Sequence, residues 1–427
     1  MKNFLSFYSE TFFDMFPNPK RERFQGHIYH EGYKVPVLKQ AAVYGANAAG
    51  KSNLVKAFSF LQGFVTNPNF HNVVEFEDYR FQLVEDSKEP MSLTVEFFEK
   101  KYYIYQVEVN GAVSERLWVS SLGEGENELV FERIGSRVTG EVVGNPQSSQ
   151  ALLSKNARSS VLSLNVQFPI LSGEDVQNVT NWFRDRLVVA TINTKINTLI
   201  ELLEQNKPLM EFACKMLCEL KITDRLEIAE TDFNDWLSTK NGRQYKRMMV
   251  GDPFKDAGIS SLYASKDMRN EFRIVKKNGV QVVQEFLFRQ TGVGGYEKGM
   301  DIDSQSDGTV RLLTLIPLIY DAIYNGKVVV IDEVENSMHP TLIFNLIRFF
   351  GESRSNGQLL FTTHLSKLMD QQELMRLDEL WLVEKTGGDS TMRCMNDFKI
   401  HNTINIEHGY LEGRYGGVPE IGALDNE

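Results

Sequence analysis

Apolar residues recur with the period of a helix in some parts of this chain and with the period of a strand in others. The changes between the two periods predict where its helices and strands lie. Residues 34–44 end in a short apolar strand, and a glycine-rich loop follows at once. Beyond the loop, Leu54, Phe58 and Leu61 recur at helical spacing. The pattern therefore predicts a strand, a glycine loop and a helix in direct succession.

The next segment has a period of two. Residues 91–98 and 102–109 are rich in β-branched and aromatic side chains. The pair Asn110-Gly111 then marks a tight turn of the hairpin type. We expect antiparallel strands here, arranged as a meander.

Helical periodicity then returns. Residues 145–245 read as mostly helical, with long amphipathic runs over 192–222. Strand patterns resume over 246–300, for example at 271–275 and 282–288. The helical part therefore reads as an insertion between two halves of a core.

Three continuous apolar runs characterise the C-terminal part. They cover 327–331, 358–363 and 379–384. Strands of a parallel sheet that is covered on both faces have this composition. We therefore predict an α/β core with an antiparallel β subdomain and a helical insertion. The predicted domains are the N-terminal half of the core at 1–145, the helical insertion at 146–245, and the C-terminal half at 246–427.

Composition narrows the functional classes. The 427 residues carry a net charge of -11, which argues against a chain-wide surface for nucleic acid. Three cysteines are too few for a disulfide framework, so we expect a cytoplasmic protein. No apolar run is long enough to span a bilayer, and we expect no membrane contact.

The glycine loop matches the pattern G-x-x-x-x-G-K-S in full. Its backbone N–H groups would surround a phosphate, with Lys51 on the β- and γ-oxygens and Ser52 on Mg²⁺. The predicted ATP-binding residues of this loop are Gly45, Ala46, Asn47, Ala48, Ala49, Gly50, Lys51, Ser52 and Asn53.

An apolar strand that ends in two carboxylates is the second motif. Asp332 and Glu333 follow the run 327–331, at the sheet edge where ligands bind in such folds. We predict that Asp332 helps to hold Mg²⁺ and that Glu333 is the general base for the attacking water. Read alone, such a pair is often a solvated turn, and the glycine loop favours the catalytic interpretation.

Three weaker motifs accompany these. Ser306, Asp307 and Gly308 precede an apolar helix, where they are also typical of an ordinary turn and helix cap. His364 follows the apolar run 358–363, although a lone histidine is often structural. Gln82 is our candidate for a further Mg²⁺ ligand, and a strand-edge residue is the default alternative.

These motifs together resemble the prokaryotic AAA/ABC-like ATPases related to the OLD, RecF and SMC group. The likeness extends to the tail 410–419 and is greatest to stand-alone ATPases of anti-phage systems, such as AbiLi, PtuA of Septu and AriA of PARIS. It implies an ABC-type P-loop fold. It also implies that Ser306, Asp307 and Gly308 form a signature that reaches the partner's ATP, and that His364 is a catalytic switch histidine.

The resemblance further implies function. We expect an ATP- and Mg²⁺-dependent homodimer or higher oligomer, with Lys51, Glu333 and His364 as catalytic residues. Its partner would be a separately encoded effector, a nuclease or toxin, since the chain has no room for the Toprim domain of OLD nucleases. The alternative is a RecF/SMC-like ATPase that binds DNA through cations such as Lys20, Arg21 and Arg23, although a short charge run of this kind is typical of solvated surface. A module that holds ATP without hydrolysing it is a third interpretation.

Overall fold

The chain packs into two compact units. The first unit comprises 1–191, 322–334 and 347–427, and the second comprises 192–321 and 335–346. The computed structural model describes residues 1–29, 34–85, 89–192, 194, 199–248, 272–370, 373–400 and 404–418. No helix in these described parts of the chain is both long and apolar enough to cross a membrane.

The secondary structure of the described residues is mixed. The strands are β1 Ile28–Tyr29, β2 Val37–Leu38, β3 Gln40–Gly45, β4 Met91–Glu99, β5 Lys101–Asn110, β6 Ala112–Val119, β7 Glu128–Ile134, β8 Arg137–Thr139, β9 Leu187–Ala190, β10 Arg225–Asp232, β11 Phe272–Lys277, β12 Val280–Thr291, β13 Glu297–Asp301, β14 Val328–Ile331, β15 Gln358–Thr362, β16 Leu380–Thr386 and β17 Asp389–Cys394. The helices are α1 Lys51–Thr66, α2 Phe70–Val73, α3 Pro146–Lys155, α4 Val161–Asn165, α5 Glu174–Asn181, α6 Leu199–Gln205, α7 Lys207–Glu219, α8 Phe233–Trp236, α9 Lys240–Met248, α10 Asp307–Tyr324, α11 Pro340–Glu352 and α12 Ile406–Leu411. A π-helical turn at Trp182–Arg186 links α5 to β9.

A six-stranded sheet forms the centre of the first unit, in the order β17-β16-β3-β15-β14-β9. Every neighbouring pair is parallel except β16 and β17. All six residues of β3 are buried, as a strand covered on both faces requires. Because β3, β15 and β14 are parallel neighbours, their carboxyl ends meet at one edge of the sheet.

The second sheet of the first unit is the predicted meander, β4 to β8 in sequence order. In β5, Tyr103, Tyr105, Val107 and Val109 are buried and alternate with less buried residues. This period of two places one face of the sheet in the core. The hairpin between β5 and β6 turns at Asn110-Gly111, as the sequence predicts.

Aromatic side chains pack α1 into the core of the first unit. The ring of Phe60 lies 5.9 Å from Phe4, 5.6 Å from Phe76 and 5.1 Å from Tyr79, between ring centroids. Offset and edge-on aromatic pairs of this kind add stability beyond the area they bury. The helix that carries the end of the glycine loop is therefore firmly anchored.

A buried ion pair joins the meander to α4. Arg133 Nη1 donates to Glu115 Oε1 at 2.7 Å, and both side chains are fully buried. The carboxylate of Glu115 also accepts from the hydroxyls of Tyr105 and Ser160 and from the N–H of Val161. Such complete pairing is what makes a buried charge tolerable.

The second unit contains the four-stranded antiparallel sheet β10-β12-β11, with β13 also paired to β12. A small aromatic core formed by Trp236, Tyr245, Phe272 and two aliphatic residues packs on this sheet. The second unit also contains α6 to α9.

The described structure differs from the sequence prediction within 146–245. Two strands, β9 and β10, lie in this predicted helical insertion, and β9 joins the central sheet. A four-residue strand is too short for its period to be distinguished from a helical turn. The predicted strand at 271–275 begins one residue outside the described residues, and the described part is β11. The division at 146 and 246 stays a prediction.

Candidate functional site

The glycine loop connects the buried strand β3 to the helix α1. β3 ends at Gly45 and α1 begins at Lys51. A Cβ atom on Gly45 would lie 2.5 Å from the carbonyl oxygen of Val383, so glycine is required for β3 to pass β16 here. Ala46 is half-buried, whereas Asn47 and Ala48 are exposed at the tip of the loop.

Gly50 closes the loop under a second constraint. Its φ is 123°, and a Cβ there would lie 2.8 Å from the hydroxyls of Ser6 and Ser390. Ser390 Oγ donates to the carbonyl of Ala49 at 2.6 Å, and Asn53 Nδ2 donates to Ser6 Oγ at 2.8 Å. The N-terminal segment and β17 thus hold the loop from outside its own strand and helix.

Lys51 folds back onto the loop. Its Nζ donates to the carbonyls of Gly45 at 2.8 Å and Ala46 at 3.2 Å, and the residue is 6% exposed. The ammonium group therefore lies at the mouth of the loop, beside the N-terminus of the 16-residue helix α1. A helix N-terminus and an adjacent cation are a favourable combination for a phosphate.

Ser52 and Asp332 come together across 280 residues of sequence. Ser52 Oγ donates to Asp332 Oδ1 at 3.2 Å, and Asp332 is 9% exposed at the end of β14. Their donor atoms are oxygens only, which suits Mg²⁺. Among the described residues no cluster of three or more His, Cys, Asp or Glu side chains could hold a metal. Magnesium here would therefore take few protein ligands, as it does beside phosphates and water.

Thr362, to which the sequence pattern assigns no role, contacts both acidic residues, the carboxylate of Asp332 and the backbone of Glu333. Its Oγ1 donates to Asp332 Oδ1 at 2.6 Å and accepts the N–H of Glu333 at 2.8 Å. Thr362 is fully buried. Glu333 itself has a φ of 47°, in the left-handed region that non-glycine residues rarely adopt. Strained backbone held by its surroundings is typical of functional sites.

His364 follows β15, the strand between β3 and β14. The register aligns Thr362 with Val43 of β3, and Phe361 with Ile331 of β14. His364 is exposed just beyond this edge. The sheet therefore brings Gly45, Asp332 and His364 to the same edge, as their order in the sequence predicts.

Gln82 lines an open cavity of about 230 Å³ together with Ser6 and Asn53, the residue that follows Ser52. It is exposed, and its Nε2 donates to the carbonyls of Glu77 at 2.7 Å and Arg80 at 3.1 Å. These bonds fix the side chain on its own loop. Its role as a Mg²⁺ ligand stays a prediction.

The segment Ser306, Asp307 and Gly308 belongs to the second unit. Ser306 Oγ accepts the N–H of Thr309 at 3.2 Å and so caps α10. Ser306 and Asp307 are exposed, whereas Gly308 is buried. A Cβ on Gly308 would lie 2.6 Å from the carbonyl oxygen of Ser337, so only glycine fits. Ser306 Oγ also lies 3.0 Å from Thr309 Oγ1, so this exposed residue uses its hydroxyl within the cap of an 18-residue helix.

Comparison with protein families gives a match over most of this site. The family described as "AAA domain, putative AbiEii toxin, Type IV TA system" matches residues 41–182 and 253–370. These two segments cover more than half of the chain, and they include the glycine loop, Asp332, Glu333 and His364. The chain belongs to this AAA domain family.

Solved structures similar to this AAA domain chain include three SMC heads. The SMC head bound to the C-winged helix domain of ScpA is 14% identical, with 86% of this chain and 94% of that chain covered and a TM-score of 0.42. The SMC head domain from Thermotoga maritima is 12% identical, with 86% of this chain and 96% of that chain covered and a TM-score of 0.33. The SMC head with an extended coiled coil, bound to the C-terminal domain of ScpA and derived from Pyrococcus furiosus, is 12% identical, with 85% of this chain and 92% of that chain covered and a TM-score of 0.34. No curated protein matched the sequence.

The predicted fold class is confirmed for this AAA domain chain. It is an α/β fold with a glycine loop after the buried strand β3, an antiparallel β subdomain and an AAA-type domain. In the central sheet, the glycine-loop strand β3 and the Asp-Glu strand β14 are separated by β15, which carries Thr362. This order allows one hydroxyl to reach the carboxylate at the end of the neighbouring strand.

Proposed function

We propose that this chain binds and hydrolyses ATP with Mg²⁺. The observation that supports this most is the carboxylate of Asp332, which accepts from Ser52 of the glycine loop and from Thr362 of β15. This contact joins the phosphate-binding half of the site to the half that carries Glu333. A protein that only held ATP would not need a carboxylate held in this way beside a second one.

Each residue of the site has a distinct task. Lys51 would leave the carbonyls of Gly45 and Ala46 and neutralise the β- and γ-oxygens. Ser52 and Asp332 would hold Mg²⁺, which neutralises charge on the phosphates when bound. Glu333 would accept a proton from the attacking water, and His364 would contact the γ-phosphate.

Two variants test hydrolysis. Glu333→Gln keeps the shape but removes the base, so we expect turnover to fall about 100- to 10,000-fold while ATP still binds. Lys51→Ala should weaken ATP binding itself. Phosphate release and binding of a fluorescent ATP analogue measure the two steps separately. Normal turnover by Glu333→Gln would show that the base is assigned wrongly.

We further propose that the site is completed by a second copy of the chain, in a homodimer or higher oligomer. Ser306 is exposed, and its hydroxyl would leave Thr309 to meet the partner's γ-phosphate beside the N-terminus of α10. Glycine at 308 allows the cap to lie close to the 335–340 loop of its own unit.

Mixing two inactive variants tests this arrangement. Lys51→Ala removes a chain's own loop, and Ser306→Arg blocks the cap that it offers to its partner. In a two-fold dimer that contains one chain of each kind, one site keeps both halves intact. An equal mixture should therefore recover about a quarter of the normal sites. No recovery, with dimers formed on ATP addition, would refute the shared site.

The dimer would act as a nucleotide switch that controls a separately encoded nuclease or toxin in anti-phage defence. The family match, whose description names a toxin system, supports this direction. The Glu333→Gln variant should stay in the ATP-bound state, and the Lys51→Ala variant should stay in the ATP-free state. We therefore expect the two variants to hold the effector in opposite states. Co-purification with the product of a neighbouring gene, followed by phage plating, tests the proposal. Identical behaviour of the two variants would count against a switch.

The alternative is a RecF/SMC-like ATPase that binds DNA in repair or chromosome maintenance. Of the cations considered for it, Lys20 and Arg23 are exposed, whereas Arg21 Nε donates to Asn396 Oδ1 at 3.1 Å. Turnover that DNA stimulates and that salt suppresses would favour this alternative. In either case we expect the protein to work in the cytoplasm.

A further inference from the structure

Helix α9 is held rigidly on the sheet of the second unit by one face. The ring of Tyr245 lies 5.5 Å from Trp236 and 5.4 Å from Phe272, and all three residues are buried. A Cβ on Gly242 would overlap the carbonyl of Trp236, so the helix backbone contacts the α8 turn directly. These contacts fix which side of α9 faces the solvent.

The solvent side of α9 is basic, in a chain with a net charge of -11. Residues 240–247 contain four cations and no acidic residue. Lys240, Arg243 and Lys246 are exposed. Within the described parts of the chain, none of these three side chains has an acidic partner, and Arg243 Nη1 donates only to the carbonyl of Ser238 at 2.7 Å. We call Lys240, Arg243 and Lys246 the α9 patch.

Two other exposed lysines of the second unit, both on α7, differ from the α9 patch. Lys207 and Lys215 on α7 each lie near a glutamate one turn later, with N–O distances of 3.9 and 3.8 Å to Glu211 and Glu219. Their charge is compensated locally. Among the described residues no acidic side chain pairs with the α9 patch, so within that part of the chain its positive field is available to an anionic partner.

The spacing of the α9 patch forms a short line of charge. Positions three apart rise about 4.5 Å along the helix and turn by about 60°. The α9 patch is therefore a short row of three positive charges on one helix.

The side chains of the α9 patch indicate which class of anionic partner it can bind. A membrane-binding helix inserts apolar side chains, but the aromatic face of α9 is buried against its own sheet. Protein interfaces need an apolar or aromatic anchor, and the α9 patch contains none. Single strands bind by stacking on exposed aromatic rings, which are also absent from it. A duplex, which presents regularly spaced phosphates, fits best.

We propose that the α9 patch is a binding surface for the phosphate backbone of duplex DNA, without sequence preference. Binding at this surface requires no contact with the bases, because lysine and arginine side chains neutralise the phosphates, which carry no sequence information. The surface lies wholly within the second unit and does not depend on ATP hydrolysis. Loss of turnover in the Glu333→Gln variant would therefore leave DNA binding intact.

The test uses the full chain and a fluorescein-labelled 24-base-pair DNA duplex, with fluorescence anisotropy read between about 50 and 200 mM salt. The triple variant Lys240→Gln, Arg243→Gln and Lys246→Gln removes three cations. We expect the slope of log K against log salt to become shallower by about 2.7. Over this fourfold range of salt, the wild-type affinity should then fall about 40-fold more than that of the variant.

A matched control separates local charge from net charge. Lys207→Gln, Lys215→Gln and Lys298→Gln remove the same number of exposed cations from the same unit. We expect this control to keep the wild-type slope. Equal losses in both triple variants, unchanged binding in the α9 variant, no wild-type binding at low salt, or tighter binding of an RNA duplex would each overturn the proposal. Circular dichroism and ATP turnover verify that both variants are folded.

Discussion

Replacing Thr362 by valine removes one hydroxyl and changes the side-chain shape very little. That hydroxyl donates to the carboxylate of Asp332 at 2.6 Å and accepts the N–H of Glu333 at 2.8 Å. Valine can do neither, and because the position is fully buried, no water replaces the lost group. Both acidic residues of the site therefore lose a support that they share.

The size of the effect follows from these two bonds. A hydrogen bond to a charged group contributes about 1.5–3 kcal/mol, and a neutral one about 1 kcal/mol. Side chains that orient metal ligands typically change affinity or activity about 10- to 100-fold when removed. We therefore expect Thr362→Val to lower kcat by about 10- to 100-fold and to weaken the Mg²⁺ dependence of ATP binding.

Two neighbouring variants make this a controlled experiment. Thr362→Ser keeps the hydroxyl and should remain within about threefold of the wild type. Thr363→Val makes the same chemical change one residue along, at a fully buried position whose hydroxyl accepts the N–H of Leu365 at 3.0 Å. Steady-state phosphate release at several Mg²⁺ concentrations distinguishes the variants. If Thr362→Val turns over ATP like Thr363→Val, Thr362 does not organise the site.

Further predictions concern the loop, the meander and a thiol. Gly50→Ala should lower the affinity for ATP at least about tenfold, because the added Cβ overlaps two serine hydroxyls at a φ of 123°; titration with a fluorescent ATP analogue measures this. Arg133→Met should destabilise the first unit by about 3–5 kcal/mol in urea unfolding, since it leaves Glu115 buried without its cation. An additional Glu115→Gln substitution removes the buried charge but keeps an acceptor for Tyr105 and Ser160, so it should restore part of the loss. Burial raises the pKa of the Cys218 thiol to about 11. The folded chain therefore holds the thiol proton more tightly than the unfolded chain does. This contribution to stability is fully present below the ordinary pKa of the thiol and is lost as the pH rises from there through about 11. At pH 8 the thiol should react with iodoacetamide about 100-fold more slowly than the unfolded chain does, as mass spectrometry of peptides would show.

The structure could be predicted from the sequence best where all the residues that determine it lie within one short segment. The strand, glycine loop and helix around Lys51 lie together in the chain, and their periods predict the structure that is found. The hairpin at Asn110-Gly111 is another such case, because turn chemistry and alternation agree. The same holds for the apolar strand β14, which ends directly before Asp332.

Contacts between distant segments were not predictable. Thr362 is an ordinary strand residue in the sequence, and only the pairing of β14 with β15 brings its hydroxyl to Asp332. The buried pair of Glu115 and Arg133 depends in the same way on the register of β6 and β7. The strand β9 was missed because its place in the central sheet depends on pairing with β14, more than a hundred residues later.

The position of β3 in the central sheet also has a consequence for biosynthesis. Both neighbours of β3, the strands β15 and β16, begin more than 310 residues after it ends. At about 5–20 residues per second, a ribosome needs roughly 15–60 s to make that stretch. Until then the apolar strand beside the glycine loop has no sheet to join and is exposed to aggregation. We expect nascent chains that stop before β15 to need a chaperone and to bind no nucleotide, although they already contain the whole loop.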